Sequence, residues 1–325
     1  MRSLTRRAAL AGAALLAAAS LAQAQPAVIF ELGGKNDKSF GEAAWRGAEA
    51  WKKETGKAYL EFEIANAAQR EQAARRFAER GANPIVGIGF AQGSAIEKAA
   101  KEFPQRQFAI IDFVVDAPNV QSVVFKEHEG SFLVGMLAAL ASKSGKVGFV
   151  GGQDIPLVRK FQCGYEQGAK YVNPRVTSVY AMTGTTNAAW TDPARGAELT
   201  KAQIAQGVDV VFSAAGSTGF GIMQAAKDGG ILAIGVDSNQ NHLHPGTMLT
   251  SMVKRVDLAV LQAFKGIKPG ITSFGLKEGA LDYAMDEHNA RLVTPEMRRR
   301  VDAAKADIVS GKLKVVDYTV ANACR

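Results

Sequence analysis

Ten apolar runs of strand length alternate with helix-length segments along nearly the whole chain, and that rhythm leaves few folds open. The runs fall at 27–32, 58–64, 84–90, 107–113, 120–126, 146–150, 176–182, 209–214, 231–236 and 247–253. Ala-rich amphipathic stretches at 67–79, 93–102 and 193–206 lie between them. Such alternation means βαβ units, with parallel sheets covered by helices. The runs are almost continuously apolar, as strands buried on both faces must be. The rhythm breaks once. Only residues 114–119 separate two of the runs, too few for a crossover helix. The chain therefore reads as an α/β protein of two Rossmann-like lobes, with 120–126 as a connecting strand and a helix at 129–142 opening the second series. A return crossing is expected near 250–254, followed by a helix at 257–266 in the first lobe. The expected division is 25–125 with 254–280, and 126–253 with 281–325.

Residues 1–24 stand apart from this rhythm. Arg2, Arg6 and Arg7 precede an apolar run at 8–21, and Ala22 and Ala24 supply the small residues that a signal peptidase needs. A cleavable signal peptide ending at Ala24 is expected, and the run is too short for a comfortable membrane span. No cysteine lies in this region, so no lipobox is expected, and in a Gram-negative host the destination is the periplasm. Cys163 and Cys324 then lie in a compartment that permits a disulfide, and the sequence leaves their pairing open. Without the three leader arginines, 36 basic residues face 31 acidic ones. The charges are interspersed along helices, as at Lys98, Lys101 and Glu102, which reads as solvated faces and not as a nucleic-acid surface.

In parallel sheets the loops at the carboxyl ends of strands hold ligands. After the first run come two glycines, then Asn36, Asp37 and, about two turns into a helix that Ser39 can cap, Trp45. Asp112 ends the fourth run, Trp190 sits in a Thr/Asn/Gly-rich loop at 181–191, Gly216 opens a glycine-rich turn, Asp237 ends the ninth run and Lys254 the tenth. These residue types recognise more than they react. Two rings stack on a planar heterocycle, amide and carboxylate meet ring N–H and carbonyl groups, and Asp237 with Lys254 suits the hydroxyls of a sugar. Trp51 reads as core. Trp45 also has a plainer use in packing, the two strand-end aspartates in turns, and Lys254 in an ion pair with Glu127 or Glu129.

Catalysis finds little support. His128, His242, His244 and His288 flank no nucleophile elbow, and His242 with His244 lacks a third metal ligand nearby. The turn at 216–221 is spaced G-x-x-G-x-G, not as a dinucleotide loop. No cofactor and no metal are expected.

Several motifs carry a resemblance. Asn36-Asp-Lys-Ser-Phe40 with Trp45, Glu129-Gly-Ser-Phe-Leu133, Gly148-Phe-Val-Gly-Gly152, Phe161-x-x-Gly-Tyr165, Asp192-Pro-Ala-Arg-Gly196, Ile234-Gly-Val-Asp237 and Leu249-Thr-Ser-Met-Val-Lys254 occur in this order. Together they resemble the basic membrane protein (BMP) family, substrate-binding proteins of ABC importers whose best understood members bind purine nucleosides. The resemblance implies the type I periplasmic binding protein fold, two lobes joined by crossover hinge strands and closing on a ligand. It implies base-stacking rings at Trp45 and Trp190, a base-edge group at Asn36, further contacts at Asp112 and Gly216, and ribose contacts at Asp237 and Lys254. The chain departs from the family in lacking a lipid anchor, in having Trp where Phe is common at both stacking positions, and in having Asn36 where Asp is frequent. The expected function is a periplasmic, monomeric receptor that hands a purine nucleoside to an ABC permease in the inner membrane. A receptor for a free purine base or another planar heterocycle, a ligand sensor, and a secreted nucleoside-processing enzyme stay as alternatives.

Overall fold

A computed structural model describes residues 24–324, so the expected signal peptide, all but its last residue, lies outside the described residues. Among the described residues twelve strands form: β1 (Ala27–Phe30), β2 (Leu60–Glu63), β3 (Ile85–Ile88), β4 (Phe108–Ile111), β5 (Val120–Phe125), β6 (Lys146–Gln153), β7 (Thr177–Gly184), β8 (Val210–Ala214), β9 (Leu232–Asp237), β10 (Met248–Lys254), β11 (Gly270–Phe274) and β12 (Leu281–Tyr283). The helices are α1 (Phe40–Thr55), α2 (Gln69–Glu79), α3 (Gly93–Glu102), α4 (Glu127–Ala141), α5 (Pro156–Val172), α6 (Pro193–Ala205), α7 (Gly219–Asp228), α8 (Val256–Lys265), α9 (Pro295–Val309) and α10 (Tyr318–Ala321). Among the described residues, no helix is long and apolar enough to cross a membrane.

Two six-stranded sheets result, ordered β11-β5-β4-β3-β1-β2 and β12-β10-β9-β8-β6-β7. The first is parallel throughout, and the second is parallel except for its edge strand β12. The two orders match position for position, so β4 corresponds to β9 and β5 to β10. In each sheet the first strand of the series lies between its second and third, which makes a switch-point crevice at the carboxyl ends. Strands β1, β3, β4 and β8 are wholly buried. On the first sheet α2 and α3 cover one apolar layer, and α1 and α8 pack together over the other.

The chain passes between sheets three times: from β5 into α4, from β10 into α8, and from β11 to β12. The expected division implies a third passage at 280–281, but the strands on either side of it, β11 and β12, are absent from the reading of the sequence. Both are short edge strands, and β11 (Gly-Ile-Thr-Ser-Phe) is exposed over most of its length. Without a covered face it carries no apolar run. Cys163 in α5 pairs with Cys324, tying the tail to the second lobe.

Candidate functional site

One cavity lies between the sheets at their carboxyl ends, lined by the segments that follow β1, β3, β4, β7 and β8, by the ends of β9 and β10, and by α5 and the first residue of α1. Of the eight expected contacts, Asp37, Asp112, Trp190, Gly216, Asp237 and Lys254 line it, whereas Asn36 and Trp45 do not. Gly33 and Gly34 both adopt positive φ, and the short helical turn after them leaves Asn36 exposed to solvent. Trp45 is half-buried against the core. The aromatic of α1 that faces the cavity is its first residue, Phe40. Five residues along a helix turn a side chain by about 140°, which takes Trp45 off that face.

Asp37 lines the cavity, but its carboxylate is occupied. It accepts from the backbone N–H groups of Ser39 (2.8 Å), Gly41 (2.9 Å) and Glu42 (3.0 Å), so it caps α1 in place of Ser39. Released from capping, the Ser39 hydroxyl donates across the cleft to Asp237 Oδ2 at 2.9 Å. Ser238 Oγ donates to Ser39 O at 2.7 Å, Gln240 Nε2 to Lys38 O at 3.0 Å, and Arg46 Nη1 to Ser238 Oγ at 3.2 Å. The lobes therefore stand closed, held along the entrance of α1.

The charged end of the cavity centres on Lys254, whose Nζ lies 2.7 Å from Asp112 Oδ2 and 2.9 Å from Glu127 Oε1. Three rings surround that ammonium, Phe125 at 4.7 Å, Phe40 at 5.3 Å and Phe161 at 5.5 Å from centroid to Nζ. Burial would discharge the lysine, but Asp112, Glu127 and Asp237 outweigh it and hold its pKa above the ordinary value. Asp112 and Asp237 occupy corresponding places at the ends of β4 and β9, each with a left-handed backbone, φ 67° and 64°. Asp tolerates that region better than most residues, at a cost accepted most often at ligand sites. Asp112 Oδ1 is buried without a hydrogen-bond partner. Burial pushes Asp237 up to about 7, against the pull of Lys254 and the Ser39 hydroxyl.

The aromatic end joins the lobes. Phe90 from the first and Trp190 from the second meet at 6.4 Å between centroids, tilted by 59°. Trp190 rests on the backbone of β6, where a Cβ on Gly152 would come within 2.4 Å of its ring. Polar wall groups here are Glu31, Asn187 and Ser217. Arg70 Nε donates to Glu31 Oε2 at 3.0 Å, Arg70 Nη2 donates to Oε1, and Gln92 Nε2 donates to Oε2 at 3.1 Å. The sequence reading missed Glu31, Phe40, Phe90 and Asn187. Glu31 and Phe90 each directly follow the apolar core of a strand, and that position was a usable signal.

Among the described residues, the one cluster with metal-ligand spacing is Asp286, Glu287 and His288, which follow β12 and do not line the cavity. Asp286 is already engaged there by Asn239, Asn241 and the His288 backbone.

The model of one family, described as "ABC transporter substrate-binding protein PnrA-like", matches residues 24–311. A protein named ABC transporter nucleoside-binding protein BmpA, from Lactococcus lactis, is 31% identical over 89% of this chain and 88% of its own length. A CD4+ T-cell-stimulating antigen of Listeria monocytogenes is 33% identical over 89% of this chain and 87% of its own. The crystal structure of an ABC transporter solute-binding protein from Aeropyrum pernix superposes with a TM-score of 0.82 at 29% identity, covering 90% of this chain and 93% of that one. Two mostly parallel sheets with matched strand order and these neighbours make the fold that of type I periplasmic binding proteins.

Proposed function

The chain belongs to the Bmp family of PnrA-like ABC transporter substrate-binding proteins, and from that premise we propose that it captures a purine nucleoside between its lobes. Members of the family are binding proteins and not enzymes; they present a small molecule to a transporter's permease. The observation that carries the purine nucleoside reading is the pairing of two carboxylates with one ammonium beside aromatic walls. Asp112 Oδ1, buried and unpartnered, accepts a sugar hydroxyl, and Asp237 accepts a second, while Lys254 donates to sugar oxygens. Phe40 takes the first-lobe ring position in place of Trp45, and Trp190 covers the other face of the base. Asn187 and Ser217 meet the base edge in place of Asn36, with Gly216 allowing close backbone approach. Asp37 shapes the wall by holding α1. In this reading the lobes comprise 25–125 with 254–280 and 126–253 with 281–325. The protein works as a periplasmic monomer after cleavage behind Ala24.

Calorimetry of refolded protein with guanosine, inosine, adenosine, hypoxanthine and ribose tests this. Submicromolar riboside binding is expected, weakened at least about tenfold by Phe40→Ala and by Trp190→Ala, since each ring contact is worth on the order of 1 kcal/mol beyond its buried area. Trp45→Ala is expected to lower the melting temperature and leave affinity unchanged. Equal binding of hypoxanthine, indifferent to Asp237→Ala, would move the assignment to a free-base receptor. Silence across the panel would end the purine reading.

A further inference from the structure

The cavity's lysine is held from behind by charges that do not line the cavity. Glu127 is the first residue of α4, at the first passage between sheets, and is 0% exposed. Two ammoniums grip it, one on each oxygen: Lys254 Nζ at 2.9 Å from Oε1 and Lys160 Nζ at 3.0 Å from Oε2. Lys160, from α5, also donates to Phe125 O at 2.6 Å, the last carbonyl of β5, and lies 3.7 Å from Asp317 in the tail. The order Asp112–Lys254–Glu127–Lys160–Asp317 thus runs from the cavity across the passage to a tail that the Cys163–Cys324 disulfide tethers.

We propose that Lys160, acting through Glu127, is a positioning residue for Lys254, fixing the ammonium between Asp112 and the cavity. Lys254 has three protons to place. Two go to Asp112 and Glu127, which leaves the third side of the ammonium facing the rings and the ligand. That division holds only while Glu127 keeps one oxygen for each lysine. Remove the Lys160 charge, and Glu127 Oε2 is a buried anionic oxygen without a cation. The carboxylate then turns both oxygens to Lys254 and draws it away from Asp112. The loss falls on the sugar half of the ligand and spares the base. This inference rests on the reading of the cavity as a riboside site.

The test compares Lys160→Gln, which keeps a donor for Phe125 O but no charge, with Lys160→Arg, which keeps both. Calorimetry with inosine and hypoxanthine is expected to show Lys160→Gln weakening inosine about tenfold, close to 1.4 kcal/mol, with hypoxanthine unchanged and Lys160→Arg near the parent protein. Asp317→Asn, at the outer end, is expected to give a smaller loss of the same kind. Unchanged inosine affinity in Lys160→Gln, or equal losses for inosine and hypoxanthine, would overturn the proposal. A second readout needs no ligand. The side-chain nitrogen–proton NMR signal of the Lys254 ammonium, assigned by its loss in Lys254→Met, is expected to shift in Lys160→Gln and stay in place in Lys160→Arg. A signal unmoved in Lys160→Gln overturns the positioning role even if the parent protein binds neither purine, the outcome that would instead end the riboside reading.

Discussion

Phe40 and Trp45 are five positions apart on α1, and only one of them reaches the cavity. Local sequence makes both plausible ring donors, because each is an aromatic near a polar loop. The phase of the helix separates them, and that phase depends on where the helix begins. Asp37 sets this start by collecting three backbone N–H groups, a use of the carboxylate that composition does not reveal. Trp190 shows the converse. A large ring in a polar loop was legible, but its seat on Gly152 was not, since a glycine at a strand end has many uses. Gly152→Ala is expected to push the Trp190 ring aside and weaken riboside binding several-fold, with a stability cost of about 1–3 kcal/mol, read by calorimetry and by thermal melting. Asp237 gives a pH signature. It faces Lys254, the Ser39 hydroxyl, Asp112 and Asp37, and its folded pKa of about 7 stands above the ordinary 3.8. The ligand-free fold thus holds a proton that the unfolded chain has released. The stability this contributes is full below about pH 4 and is lost as pH rises through about 7, at no more than about 1.4 kcal/mol per pH unit. Ligand hydroxyls favour the ionised carboxylate, so affinity should rise with pH through the same region. Asp237→Asn should flatten the dependence of melting temperature on pH; an unchanged profile would show that another group titrates.

At the scale of elements, the buried strands were legible because both of their faces are covered, and an apolar run is the direct trace of that. The edge strands β11 and β12 left no such trace. The pairing of α4 with α5 lies between these cases. A helix was expected at 129–142, where α4 forms, while α5 was not read as one, and the closeness of the two depends on glycines that interrupt otherwise ordinary sequence. A Cβ on Gly164 would come within 2.3 Å of His128 O, and one on Gly168 within 1.9 Å of Phe132 O. These contacts bring Lys160 to Glu127. Gly168→Ala is expected to force the helices apart at a cost of about 1–3 kcal/mol, lowering the melting temperature. A melting temperature equal to that of the parent protein would mean the pair tolerates separation.

Across the whole molecule, closure rests on a few hydrogen bonds between the entrance of α1 and the loop after β9. Ser238→Ala removes two of them without touching the cavity wall. It is expected to shift the lobes toward an open state and weaken ligand about threefold, since a tighter closed state contributes to affinity only through its population. Small-angle scattering of the ligand-free variant should report a larger radius of gyration, and an unchanged radius would show that these bonds do not hold the lobes. The sequence alone determined the class of fold, the family, and most of the polar and charged residues at the carboxyl ends of strands. It could do so because strand burial and strand-end position are local properties written into apolar runs. The packing of the two sheets sets which ring of α1 enters the cavity, that Ser39 bonds to the opposite lobe, that Cys163 meets Cys324, and that Lys160 stands behind Lys254. Each of these joins residues far apart in the chain, and their meeting depends on how two sheets and three passages are set in space, which no local pattern records.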